Sequence, residues 1–170
     1  MTNSNSTILK ALKNIANVAA LIIREMGVNP HTKHHIRTAI REATHKVTDK
    51  KGSRKSTAHF ISESARQQME NGNKDNLVLE HVIPISYINE LVLNLAGTRP
   101  LTSQDIASIV LEWTCLALIT ADEDSRLTKK AVPPDIQTNK FSRYEHVDPK
   151  ICLQPNIYKD LNAKLKGVVR

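Results

Sequence analysis

A carboxylate followed at once by an imidazole, and closed two apolar residues later by a proline, is the strongest candidate in this chain for moving a proton: Glu80-His81-Val82-Ile83-Pro84. An unperturbed imidazole titrates near neutrality, which suits His81 to the work of a general base. Further on, Glu123 and Asp124 stand within a few residues of Thr120. There they would offer hard oxygen ligands to Mg2+, a cation able to clamp a phosphate, and the start of a helix would favour their charge. Each residue also has a plainer role. His81 can order a strand end by bonding a backbone carbonyl, Glu123 completes a capping box with Thr120, and Asp124 complements the helix dipole. Neighbours on a regular strand face opposite sides. Glu80 and His81 therefore share one site only if the chain turns at a frayed strand end before Pro84.

The elements that must hold these groups follow from periodicity. Ile8, Leu12, Ile15, Ala19 and Ile22 recur at helical spacing up to Gly27 and Pro30. His31 to Val47 reads as a basic helix with Ile36, Ala39, Ile40 and Ala43 inward. His31 and His35 are spaced i, i+4, but no carboxylate lies between them as in a HExxH zinc site, so the segment reads as a solvated or phosphate-touching face. After the polar stretch Thr48–Ser56, a third helix is expected from Thr57 to Glu70, stopping at Asn71-Gly72. Leu77 to Ile83 is a short β-type run ended by Pro84. Ile85 to Ala96 is helical, and Thr102 or Ser103 caps a helix running to about Trp113. Cys115 to Ile119 is a second strand, and the Thr120–Glu123 spacing starts a helix that Pro133-Pro134 stops. The remainder is loop-like as far as Pro155, with a last helix expected over Asn156–Lys166.

The fold class expected is α+β and mainly helical. A small two-stranded β element followed by a helix (residues 73–170) would carry the chemistry, after an N-terminal helical region with a basic linker (residues 1–72). Aromatic residues are only 4% of the chain, so the core must be mainly Leu, Ile, Val and Ala, and the low aromatic content argues against a platform of rings for stacking bases. A formal net charge of +7 suits a polyanionic partner such as DNA. Within the linker, Lys50, Lys51, Arg54 and Lys55 are the first candidates for phosphate contacts. Cys115 and Cys152 are too few for a disulfide framework or a cysteine zinc site. No signal-peptide pattern opens the chain and no apolar run approaches a membrane span, so no membrane partner and a cytoplasmic location are expected. The apolar first helix would bury its stripe inside the domain or against a second copy, as a homodimer.

Leu79-Glu80-His81-Val82-Ile83-Pro84-Ile85 resembles the first motif of the HNH (ββα-metal) endonucleases, in which an acid and a histidine precede two apolar residues and a proline. Leu116 to Leu127 is similar in layout to the second strand and helix of that superfamily. The resemblance implies hydrolysis of DNA phosphodiester bonds with Mg2+ or Mn2+. His81 would be the general base, and Glu80 and Asp124 metal ligands, with Glu123 beside them. Arg126 or Arg143 would clamp the phosphate. About thirty residues separate Pro84 from the second strand, where the superfamily has a short loop. Asp124 stands where Asn or His is usual. A restriction, phage or toxin enzyme is the leading expectation. A non-catalytic DNA-binding or protein-interaction module of phage or plasmid type is the alternative, and a hydrolase of another substrate is a third.

Overall fold

The computed structural model describes residues 3–48, 58–73, 75–127 and 132–157, with side chains from residue 9 onward. In chain order the elements are α1 (Asn3–Met26), α2 (Pro30–Thr48), β1 (Phe60–Ser62), α3 (Glu63–Glu70), β2 (Leu77–His81), α4 (Ile85–Ala96), α5 (Ser103–Trp113), β3 (Leu116–Thr120), α6 (Ala121–Arg126), α7 (Ser142–Glu145) and β4 (Leu153–Pro155). The chain is α+β and mainly helical. Among the described residues no helix is long and apolar enough to cross a membrane.

Two compact units interleave along the chain. The helical unit takes Met1–Lys50 and Ile85–Thr114. Its α1 turns Leu12, Ala16, Ala19, Ala20 and Ile23 inward, the i, i+3/i+4 set that a one-sided helix buries. Gly27, at φ 68°, ends α1 by donating its amide to the carbonyl of Ile23 at 3.0 Å. Asn29 then caps α2, its Oδ1 accepting from the amides of His31 and Thr32 at 2.9 and 3.1 Å. α2 packs on α1, α4 and α5, and Ile88 and Val92 of α4 with Ile106 and Val110 of α5 are fully buried.

The sheet unit takes Lys51–Pro84 and Cys115–Arg170. Its four strands run in the order β2-β3-β1-β4, with β1 parallel to β3 and the other pairs antiparallel. The sheet thus has four strands rather than the two expected, because β1 and β4 are three residues each, too short for alternation to register. The helix expected from Thr57 is corrected: Phe60–Ser62 is strand, and α3 begins only at Glu63. Ser62 caps α3 by accepting the Ala65 amide at 3.1 Å, which ends the strand and starts the helix at one residue. α3 packs on the sheet through a core of Ala58, Ile61, Ala65, Leu116 and Leu118. The inserted stretch between β2 and β3 is α4 and α5, which fold with the helical unit. α6 stops at Arg126, well before Pro133-Pro134. Of the expected last helix, all but Asn156 and Ile157 lies outside the described residues.

Candidate functional site

β2 and β3 pair over five residues, from Leu77 opposite Thr120 to His81 opposite Leu116, and α6 starts immediately after β3. Strand, strand and helix thus follow one another in space as they were read in sequence, despite the intervening residues. Pairing continues one step past His81, since the Val82 amide donates to the Cys115 carbonyl at 3.0 Å. The strand end is therefore not frayed at Glu80-His81. On a paired strand the two side chains face opposite sides of the sheet. Glu80 shares a face with Val78, whereas His81 shares one with Leu77 and Leu79, which pack on the α3 core. The expected convergence of Glu80 and His81 through a turn is corrected by this register.

On the Glu80 face the chain after α6 folds back over the sheet. Phe141 places its ring edge-on against Phe60, with centroids 4.9 Å apart, and so docks the short helix α7. Arg143 is almost wholly buried there. Its Nη1 donates to the His81 carbonyl at 3.1 Å, and both Nη1 and Nη2 reach Glu80 Oε1 at 3.4 Å. Arg143 was expected to clamp a phosphate. Buried on Glu80, it instead ties α7 to the end of β2. Burial pushes the Glu80 carboxyl above its ordinary range; Arg143 opposes the shift, and the charge of Asp124 adds to it. Tyr144 is fully buried beside them, and burial, with the Glu80 charge behind it, drives its hydroxyl far above the usual phenol range. Among the described residues its hydroxyl has no hydrogen-bond partner.

Glu123 has become part of the frame. Its Oε2 accepts from the Thr120 amide at 2.9 Å and from Ser62 Oγ at 2.6 Å, and the side chain is buried. This joins the cap of α6 to the cap of α3 and leaves Glu123 turned inward to protein donors. Among the described residues no three His, Cys, Asp or Glu side chains are grouped to hold a metal ion. Glu80, Glu123 and Asp124 therefore do not fit as a three-carboxylate cation site. Arg126 donates to the Pro149 carbonyl at 2.6 Å and pairs with Asp122 at 3.4 Å, pinning the chain after α7 instead of standing free for phosphate. Lys50, Lys51, Arg54 and Lys55 lie outside the described residues.

Sequence reading missed His59. Its amide donates to the Leu116 carbonyl at 2.8 Å, and its Nδ1 accepts the Leu116 amide at 3.1 Å, which directs any ring proton of the neutral form to Nε2. Phe60 pairs with Ala117 and His81 with Leu116, so His59 and His81 stand at one level of the sheet, on either side of Leu116. The only local hint was a polar residue directly before the apolar pair Phe60-Ile61. No family model matches the chain, and no curated protein or solved structure does either.

Proposed function

We propose that the sheet unit is an endonuclease acting on DNA phosphodiester bonds, with His81 as the general base. The observation that supports this most is the antiparallel pairing of β2 with β3, ending at His81 and followed directly by α6. A half-buried imidazole held at a paired strand end is well fixed to take the proton of an attacking water. Arg143, bound to the His81 carbonyl, acts as a positioning residue for that strand end. Mg2+ or Mn2+ stays part of the test.

The test is nicking of supercoiled plasmid in the presence of Mg2+ or Mn2+ and again with chelator. His81→Ala is expected to lower the rate by about 10²-fold or more, the usual weight of a general base, with the circular dichroism of the parent. Plasmid left intact by the parent protein with every divalent cation overturns the proposal.

A second reading, a non-catalytic DNA-binding module, is favoured by a specific observation: Glu123, Arg126 and Arg143 each hold another part of the fold. On that reading duplex DNA is bound without being cut, and His81→Ala leaves binding unchanged.

A further inference from the structure

In the helical unit, α2 carries four Lys or Arg side chains, the largest cationic excess among the described helices. α2 buries Thr32, Ile36, Ala39, Ile40, Ala43 and Thr44. Away from that face Lys33, Arg37 and Arg41 follow at i, i+4 and i+8, so they form a line along the helix, with His34 and Thr38 beside it, all exposed. Glu42 is the only carboxylate on α2. One neighbouring acid meets the line: Glu90 of α4 accepts from Arg37 Nη2 at 2.6 Å, both side chains being about half exposed. Among the described residues Lys33 and Arg41 have no ion-pair partner.

We infer that this face of α2 is a contact surface for the sugar–phosphate backbone of duplex DNA. Charge complementarity carries the inference, because parallel cations on a rigid helix hold themselves apart at a cost that a row of phosphates removes. Lys33 to Arg41 spans roughly 12 Å of helix axis. Over that length one DNA strand advances by about three to four phosphates. The backbone amides at the start of α2 are already met by Asn29, so the contacts would come from side chains. Such contacts fix position without reading sequence. The surface rests on the proposed function only in taking DNA as the target, and it needs no cleavage.

The experiment uses the full chain and a labelled duplex of about 20 base pairs, with affinity followed by anisotropy across a KCl series. For Lys33→Glu/Arg41→Glu, the slope of log K against log salt should flatten by about 2, and affinity at low salt should fall at least tenfold. Lys10→Glu/Lys13→Glu, a charge-matched change at exposed positions of α1, should cost much less. Three outcomes overturn the inference: parent-like affinity and slope in the α2 variant with its helicity kept, an equal loss in the α1 control, or binding of anionic vesicles in preference to the duplex. Failure of the cleavage proposal looks different, as intact plasmid alongside α2-dependent binding.

Discussion

Two helices of this chain start with the same device and use it differently. α5 opens on Thr102 with Asp105 three residues on, α6 on Thr120 with Glu123, and both complete a capping box. Asp105 finds its partners within six residues, Thr102 and the guanidinium of Arg99, and stays partly exposed. Glu123 is buried and reaches Ser62, sixty-one residues upstream, where it joins the start of α6 to the junction of β1 and α3. The first cap is a local event that any isolated segment would attempt. The second depends on the sheet having formed, and by forming it takes a carboxylate away from the candidate cation set. The contrast extends to the strands and helices around them: α1, α2, α4 and α5 carry their stripes and caps within one segment, whereas β1, the start of α3 and the end of β2 are each fixed by polar groups from far along the chain.

The strongest way to break that comparison is to cut the tie of largest expected weight. Arg143→Met should cost about 3 kcal/mol in urea denaturation, because it strands the half-buried Glu80 carboxylate and frees the His81 carbonyl. Adding Glu80→Gln should recover part of the loss, since the stranded charge goes with it. A loss well under 1 kcal/mol would mean that the pair at 3.4 Å does little, and the sheet unit would have to be held by its apolar core instead.

Next in size is the buried cap. Glu123→Ala removes the acceptor for both Ser62 and the Thr120 amide, and about 2 kcal/mol is expected. Amide exchange should rise at α6 and also at β1 and the start of α3, although those residues are distant in sequence. Faster exchange confined to α6 would make the Glu123 cap as local as that of Asp105.

This division also explains what could be read from residues alone. α1, α2, α4 and α5 and the cap of α6 were legible because a stripe at helical spacing and a Thr-x-x-acid start are written within one segment. β1 was misread as helix because Phe60–Ser62 is three residues long, and what makes it a strand is Ala117 and Leu118 on one side and Leu153–Pro155 on the other. That Glu80-His81 end a strand was legible, but how that end is held was not, since a frayed end and a paired end look alike until Cys115 is known to accept the Val82 amide. His59 and the burial of Arg143 belong to the same class, because each is decided by a neighbour more than fifty residues away.

The smallest expected effects are those of pH, and they separate the two kinds of carboxylate by sign. The hydrogen bond from Arg99, followed by those from Thr102, holds the Asp105 carboxyl well below its ordinary 3.8. A depressed folded value contributes stability that is present above the ordinary value and disappears as pH falls through the folded one. Glu63 is likewise lowered, from 4.5 to about 2, first by Arg66 and then by Gln67. Both groups are partly exposed, so salt should weaken the effect. Glu80 runs the other way: burial raises it above 4.5, so its contribution is full below that value and is lost as pH rises through the folded one. Asp105→Asn should therefore flatten only the acid limb of a stability–pH curve, below about pH 4. Glu80→Gln should flatten only the stretch above 4.5, and high salt should erase the first difference more than the second. If both variants changed the same limb, Glu80 would be titrating as a surface carboxylate, and the buried pair with Arg143 would lose its part in holding the end of β2.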